Sequence, residues 1–224
     1  MIRQKKTALL LGASGFIGNQ LLRLLLDDDS FDKVIALVRK PLEISDPKLE
    51  QRITDFANEQ LYREAMPAGD VIFCCIGTTM QQVRGNKTKY RQIDYDIPVQ
   101  AAKWGIEKGY TQYILVSAIG ADARSSNFYL RLKGEVEAAV ASLPYKAVHI
   151  FQPSLLLGHR KESRPTEKMA QFFSPLFSML TIGGFKKYRP VKGNTVANAM
   201  LKASDSDITG THTYTYSAIQ SLAL

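Results

Sequence analysis

Residues 7–18 read Thr-Ala-Leu-Leu-Leu-Gly-Ala-Ser-Gly-Phe-Ile-Gly. A short apolar run ends in Gly12, Gly15 and Gly18, and a leucine pattern with helical spacing follows directly. In a strand–turn–helix of this kind the first glycine lets the chain reverse. The second lets a pyrophosphate approach the backbone, and the third lets the helix pack against the strand. The stretch therefore predicts a dinucleotide site, the alternative being a glycine-rich turn in another α/β protein.

The N–H groups at the start of the predicted helix would face the phosphates of the dinucleotide, and the helix dipole favours their negative charge. The turn contributes the first set of predicted cofactor contacts, which are Gly12, Ser14, Gly15, Phe16, Ile17 and Gly18.

The composition predicts one soluble domain. A chain of 224 residues can bury its own core. The only two cysteines, Cys74 and Cys75, are adjacent, which offers no disulfide framework and suits a reducing compartment. The three histidines lie far apart, so no metal site is predicted.

The first residues resemble the start of an export signal, but glycines and polar residues interrupt the apolar run. No later segment approaches the roughly 18 uninterrupted apolar residues of a membrane helix. We therefore expect a cytoplasmic protein that does not contact membranes.

The formal net charge is +8, and basic residues cluster at 84–91, 160–168 and 186–192. A nucleic-acid surface would explain these clusters, but so would attraction of an anionic cofactor or ordinary solvated faces. No aromatic stacking pattern interleaves them and no nucleic-acid motif is present, so we do not expect nucleic-acid binding.

Apolar, β-rich runs alternate with helical patterns along most of the chain. Strands are predicted at 7–11, 33–38, 70–76, 112–117 and 146–151, with a weaker one near 52–54, and helices at 15–26, 90–108 and 126–141. Continuous apolar runs such as that at 71–76 suit strands buried on both faces of a parallel sheet. The alternation predicts a doubly wound α/β fold, the NAD(P)-binding Rossmann fold.

We expect residues 1–224 to form a single domain. Residues 1–153 would be its dinucleotide-binding core, and residues 154–224 a small C-terminal lid and substrate region. Within that region, residues 158–190 are richer in Pro, Gly, Arg and Phe and resemble an insertion that covers the carboxyl edge of the sheet.

The end of the second strand predicts which dinucleotide binds. An acidic residue there would bond the ribose 2′-OH, whereas an arginine would accept a 2′-phosphate. The strand ends at Arg39 and Lys40, and Arg39 can hold a phosphate bidentately and stack on the adenine. We therefore expect NADP(H) in preference to NAD(H), the alternative being a surface arginine. Asp55 and Phe56, just after the third strand, are placed to border the adenine.

Tyr129 and Lys133 are four residues apart on a predicted helix and so share one face. A free tyrosine has a pKa of about 10, and a nearby ammonium lowers that pKa toward the range useful for proton transfer. A second Tyr-x-x-x-Lys pair, at 188–192, is interrupted by a proline and need not share a helical face. Ser117 ends the preceding strand and could hydrogen-bond a substrate carbonyl. The alternative is an amphipathic tyrosine on a surface helix.

With these residues the chain resembles the short-chain dehydrogenase/reductase superfamily. More narrowly, it is similar to the atypical branch that contains the Tat-interacting-protein oxidoreductases. Three blocks carry the resemblance, at residues 73–79, 125–137 and 155–165. The resemblance implies that one segment passes over the cofactor and that another closes on the nicotinamide. The corresponding predicted contacts are Cys75, Gly77 and Thr78 in the first segment, and Gln152, Pro153 and Ser154 in the second.

The resemblance implies an NADPH-dependent reductase of a small carbonyl compound. Tyr129 would be the general acid, Lys133 would lower the pKa of Tyr129 and bond the nicotinamide ribose, and Ser117 would hold the substrate oxygen. Four phenylalanines would line an apolar pocket or else belong to the core; these are Phe172, Phe173, Phe177 and Phe185.

The alternative hypothesis is a redox-sensing regulator that binds NADP(H) and signals to a protein partner. Many superfamily members carry an asparagine that completes a proton relay, and Asp94 stands at that position here. This departure favours the regulator, whereas the retained Ser117, Tyr129 and Lys133 favour the enzyme. Either hypothesis is compatible with a homo-oligomer.

Overall fold

The structure is a computed structural model that describes residues 5–157 and 188–224. Its strands are β1 (Lys6–Leu11), β2 (Phe31–Val38), β3 (Leu49–Ile53), β4 (Val71–Cys74), β5 (Gln112–Val116), β6 (Ala147–Phe151), β7 (Leu156–Leu157), β8 (Val191–Lys192) and β9 (Gly210–Tyr214). Seven of them form one parallel sheet in the spatial order β3-β2-β1-β4-β5-β6-β9. Strands β7 and β8 form a separate parallel pair.

Helices cover both faces of the seven-stranded sheet. They are α1 (Phe16–Asp27), α2 (Glu59–Ala65), α3 (Lys87–Arg91), a π-helical turn (Gln92–Asp96), α4 (Ile97–Glu107), α5 (Phe128–Ala141), α6 (Gly193–Ser204) and α7 (Tyr216–Leu222). Helices α1, α6 and α7 pack on one face, and α2, α4 and α5 on the other. This arrangement confirms the predicted doubly wound α/β fold.

The central strands are buried on both faces, as their continuous apolar runs predict. Leu9, Leu10 and Leu11 of β1 are fully buried. Leu10 packs with the core on the α1 side, whereas Leu9 and Leu11 pack with Tyr62 and the core on the α2 side. Successive side chains of a strand point to opposite faces, so a strand between two helical layers needs apolar residues at every position.

The structure differs from the sequence prediction at two elements next to the predicted site. The strand predicted at 70–76 is shorter in the structure, where β4 spans Val71–Cys74; the Cys75 N–H still bonds the Leu11 carbonyl at 2.9 Å, and the backbone of Cys75 then lies against Gly12. The single helix predicted at 90–108 is instead α3, the π-helical turn and α4 in succession.

The predicted insertion at 158–190 lies outside the described residues, apart from its last three positions, and so do Phe172, Phe173, Phe177 and Phe185. Within residues 5–157 and 188–224, no helix is both long enough and apolar enough to cross a membrane.

Candidate active site

The turn after β1 is packed so closely that Gly12 and Gly18 must lack side chains. Gly12 has a φ of +83°, and a β carbon there would lie 2.7 Å from the carbonyl carbon of Cys75. A β carbon on Gly18 would lie only 2.1 Å from the Gly12 carbonyl oxygen, so α1 can approach the turn only because Gly18 has no side chain. The Gly15 N–H closes the turn by donating to that same oxygen at 2.9 Å.

The N-terminus of α1, which is the positive end of the helix dipole, is open to an anion. Gly15 is the N-cap residue and provides no side chain to bond the first N–H groups, and the first turn contains no acidic residue. Backbone N–H groups and the helix dipole together favour negative charge at such a position. The structure therefore places the glycine-rich stretch where a pyrophosphate could bind.

Arg39 and Lys40 directly follow β2 and are exposed. Strand β2 pairs with β1 in parallel, so both residues leave the sheet at the same edge as the glycine-rich turn. The Thr54 N–H donates to the Val38 carbonyl at 3.0 Å, which brings the Asp55 segment to this edge as well. Arg39, Lys40 and Asp55 therefore lie at the carboxyl end of the sheet together with the glycine-rich turn.

The two residues after Thr54 differ in how they are held. Asp55 is exposed, and its carboxylate accepts from the Ala57 N–H at 2.9 Å. The Phe56 ring packs edge-on against Tyr62, with the ring centroids 4.8 Å apart, so one side of Phe56 contacts the core.

Helix α5 carries the predicted catalytic pair, and the contacts of Lys133 define the centre of the site. The Lys133 ammonium lies 2.9 Å from one carboxylate oxygen of Asp94, and both side chains are almost completely buried. The other oxygen of Asp94 accepts from the Thr78 N–H at 2.7 Å. A β carbon on Gly77 would lie 3.7 Å from Asp94 Oδ2 and 3.9 Å from Lys133 Nζ.

Residues 75–78 therefore connect the two parts of the site. One end of this segment contacts Gly12, and the other contacts the Lys133–Asp94 ion pair. Burial raises the pKa of the Cys75 thiol well above its usual value, so the Cys75 side chain in this segment is uncharged.

The surroundings of Tyr129 keep its phenol protonated. Burial raises the pKa of Tyr129, the Lys133 charge lowers it, and the Asp94 charge raises it again, with a net increase. Burial lowers the pKa of Lys133, but the charge of Asp94 and the interaction with Tyr129 raise it more, so Lys133 remains an ammonium. The site thus presents a neutral phenol beside a compensated ion pair.

Ser117 is buried, and its hydroxyl donates to the carboxylate of Glu137, one turn beyond Lys133 on α5. The Gln152 side-chain amide donates to both oxygens of the same carboxylate at 3.0 Å. In this structure the Ser117 proton is therefore directed to Glu137, whereas the sequence prediction directs it to a substrate carbonyl.

The segment after β6 lies against the loop after β5. The Ile119 N–H donates to the Pro153 carbonyl at 3.1 Å, and the Ser154 hydroxyl donates to the Arg189 carbonyl. Gln152 contributes directly to the site through Glu137, whereas the Ser154 hydroxyl is occupied by the backbone that leads into β8.

Three positions important to this site were absent from the predicted set. Glu137 has a local signal, since it follows Lys133 by four residues on the same helix face. Asp94 is visible only as a departure from the superfamily asparagine. Gly134 has no signal beyond its place in a helix, yet a β carbon there would lie 2.2 Å from the Ala123 nitrogen, so α5 packs directly on this loop.

The second Tyr-x-x-x-Lys pair is not on one helix, because Lys192 ends β8 and α6 begins after it. Among the residues that the structure describes, no three His, Cys, Asp or Glu side chains gather in a group able to hold a metal ion.

Comparison with known proteins identifies the family to which this chain belongs. Residues 12–149 match the family described as NAD(P)H-binding, and this chain therefore belongs to that family. Protein HTATIP2 of Rattus norvegicus is 36% identical over 173 residues, covering 76% of this chain and 71% of its own length. The predicted resemblance to the Tat-interacting-protein branch is confirmed by this relative.

A solved structure supports the fold independently of sequence. The UDP-N-acetylglucosamine 4-epimerase from Methanobrevibacter ruminantium M1 superposes with a TM-score of 0.70 at 15% identity, covering 95% of this chain and 77% of its own. At this identity the likeness shows the Rossmann-type fold and carries no inference about substrate.

The expectation of a cytoplasmic protein is wrong on this comparison. The protein of Emericella nidulans named "Protein fmp52, mitochondrial" is 26% identical over 208 residues and covers 89% of each chain. Adjacent, unpaired cysteines indicate a reducing environment but do not distinguish one such compartment from another. The sequence argument for the cytoplasm was therefore too broad.

Proposed function

We propose that this protein is an NADP(H)-dependent oxidoreductase of the short-chain dehydrogenase/reductase type that reduces a small carbonyl compound. The observation that carries this proposal is the continuity of the site: residues 75–78 contact the Gly12 turn at one end and the Lys133–Asp94 pair at the other. A dinucleotide with its pyrophosphate at the turn would extend its nicotinamide toward Tyr129 and Lys133.

The residues present fit such a cofactor. The uncapped N-terminus of α1 suits a pyrophosphate, and the lack of side chains at Gly12 and Gly18 lets the Cys75 backbone and α1 pack closely around the turn. Arg39, exposed at the end of β2, suits a 2′-phosphate, and no acidic residue takes that place. When bound, the reduced nicotinamide supplies the hydride.

Each catalytic side chain then has one task. Lys133, held by Asp94, would hydrogen-bond the nicotinamide ribose. Tyr129 would donate its phenolic proton to the carbonyl oxygen as negative charge develops there, which requires the protonated phenol that burial and Asp94 maintain. The Ser117 hydroxyl would hold the same oxygen once its proton is available.

Replacing Tyr129 by Phe tests the role of the phenol. Turnover should fall by about a hundredfold or more, because the proton donor is lost, while NADPH binding should be retained. The measurement is oxidation of NADPH, followed by its absorbance, with a panel of aldehydes, ketones and quinones.

A matched control is Tyr110→Phe. The Tyr110 hydroxyl is buried without a hydrogen-bond partner among the described residues. Tyr110 comes just before β5 and so lies at the amino ends of the strands, away from the proposed site. This variant should keep full turnover. Equal turnover in Tyr129→Phe and the wild type would contradict the proposed mechanism.

A second candidate is a redox-sensing regulator that binds NADP(H) and reports its state to a protein partner. Two contacts favour it: the Glu137 carboxylate accepts the hydrogen bond that Ser117 donates, and Asp94 compensates the Lys133 charge. Protein that binds NADPH but turns over none of the panel would favour this candidate and direct the search to its partner.

A further inference from the structure

We infer that Glu137 is a positioning residue whose protonation state decides whether the Ser117 hydroxyl can reach a substrate. The ionised carboxylate accepts a hydrogen bond from the Ser117 hydroxyl. The protonated carboxyl instead donates to Ser117 Oγ and leaves the Ser117 proton available to a substrate. This inference rests on the proposed reduction, because it assigns the control of one donor in that reaction.

Glu137 joins the ends of two neighbouring strands. The Ser117 hydroxyl, just after β5, and the Gln152 amide, just after β6, both donate to its carboxylate. The same strand ends are joined by the Ser117 N–H, which donates to the Phe151 carbonyl at 2.7 Å. The carboxylate is therefore fixed opposite Ser117.

The number of protons limits what Ser117 can do. A serine hydroxyl has one proton to donate and two lone pairs that can accept. While that proton is donated to Glu137, it cannot also be donated to a carbonyl oxygen. Ser117 can then accept a hydrogen bond but cannot stabilise negative charge on the substrate.

Protonation of Glu137 reverses the direction of this hydrogen bond. One proton from solvent binds the carboxylate, and the resulting hydroxyl donates to Ser117 Oγ. The Ser117 proton is then free to point to the substrate oxygen, while the Gln152 amide still donates to the second oxygen of Glu137. No covalent bond to carbon changes in this step, and the proton remains on Glu137.

The surroundings of Glu137 favour this reversal. Burial raises the pKa of Glu137; the hydrogen bonds from Ser117 and Gln152 and the Lys133 charge lower it, and the net change is upward. Lys133 is on the same helix, and its charge is paired with Asp94 from the π-helical turn. The strands contribute the neutral Ser117 and Gln152.

The first test compares the pH dependence of kcat/KM in the wild type and Glu137→Gln. A glutamine amide can donate to Ser117 and accept from Gln152, as the protonated acid does. Above the pKa of Glu137, the wild-type value should fall with pH, by up to about tenfold per pH unit if Ser117 donation is essential. Glu137→Gln should lack this decrease. The same decrease in both proteins would overturn the inference.

The second test needs no turnover. Since folding raises the pKa of Glu137 above its usual 4.5, the contribution of Glu137 to stability is fully present below the unfolded-state pKa and is lost as pH rises through the folded-state pKa. The difference in Tm between the wild type and Glu137→Gln should follow this titration. Ser117→Ala, which removes one oxygen atom, should move the midpoint to higher pH, because the Ser117 hydrogen bond lowers the pKa of Glu137.

The two tests separate the two proposals. If Ser117→Ala leaves the midpoint of the pH-dependent change in Tm where it is in the wild type, the inference is overturned, whether or not a substrate is turned over. Absence of turnover in the wild type, together with a shifted midpoint, would contradict the proposed reduction. It would still support the reversal of the hydrogen bond between Ser117 and Glu137.

Discussion

The resemblance to the short-chain dehydrogenase/reductase superfamily implies that Asp94 takes the place of an asparagine, and the contacts of Asp94 explain how a charge is accommodated there. The side chain is 1% exposed. One oxygen pairs with the Lys133 ammonium at 2.9 Å, and the other accepts from the Thr78 N–H. A buried charge is tolerated when it is paired and hydrogen-bonded. The consequence is that Lys133 acts on Tyr129 with its charge already compensated.

Asp94→Asn should lower the pKa of Tyr129, because the Asp94 charge raises it and the Lys133 charge lowers it. A general acid must be protonated, so the decrease in kcat/KM that accompanies deprotonation of Tyr129, which is separate from the decrease assigned to Glu137, should occur at a lower pH than in the wild type. The measurement is the alkaline limb of kcat/KM for NADPH oxidation, recorded for both proteins with one carbonyl substrate.

Asp96→Asn is the matched control for this charge change. Asp96 lies on the same π-helical turn and acts on Arg91, not on Tyr129 or Lys133. Its alkaline limb should coincide with that of the wild type. An unshifted limb in Asp94→Asn would show that Asp94 does not determine when Tyr129 titrates.

At the scale of helices and strands, the elements predicted most closely have a local signal, whereas α2, α6 and α7 were not predicted. Strand β1 and helix α1 were predicted closely, because a continuous apolar run, glycines and a helical leucine pattern are all contained within residues 7–26. Strand β9 was missed, since it lies at the sheet edge, is largely exposed and lacks an apolar run. The π-helical turn was missed because its side chains do not change the polarity pattern of the helix around it.

The same division applies to the candidate site. The spacing of Tyr129 and Lys133 is a property of one helix and is visible in the sequence. The partners Asp94 and Ser117 come from other elements, and their pairing with α5 depends on how those elements pack. Spacing along the chain therefore predicted the donors in the site but not the carboxylates that pair with them.

Gly134 sets how closely α5 approaches the loop after β5. In Gly134→Ala the new β carbon would lie 2.2 Å from the Ala123 nitrogen and 2.3 Å from the Asp122 carbonyl carbon. Helix or loop must move, and a side chain forced into such space costs about 1–3 kcal/mol in the free energy of unfolding. Because Lys133 is the preceding residue, we also expect loss of turnover, measured alongside chemical denaturation.

Ala138→Gly provides the comparison on the same helix. Ala138 is exposed, and glycine in a helix interior costs about 1 kcal/mol relative to alanine. This variant should be destabilised while keeping its turnover. Full turnover in Gly134→Ala would show that the position of α5 can vary without affecting the chemistry.

For the molecule as a whole, the order of the strands places the site. The connections run outward in opposite directions from β1 and β4, which are neighbours in the sheet. In open α/β sheets, ligands bind beyond the carboxyl ends of the strands at such a switch point. Gly12 follows β1, Cys75 follows β4, and the two are in direct contact there. Arg39, after the adjacent β2, extends this edge on one side, and Ser117, after β5, extends it on the other.

Binding at this edge should stabilise the folded molecule against heat, and the choice of cofactor should be visible as a difference in Tm. A ligand at a hundred times its Kd adds about 2.7 kcal/mol to the free energy of unfolding. If Arg39 binds the 2′-phosphate, NADPH should raise the Tm more than NADH at equal concentration. Arg39→Asp should remove or reverse this difference, because a carboxylate repels the phosphate and bonds the 2′-OH. Arg23→Asp makes the same charge change on the exposed side of α1 and should keep the preference for NADPH. An unchanged preference in Arg39→Asp would mean that other residues distinguish the two cofactors.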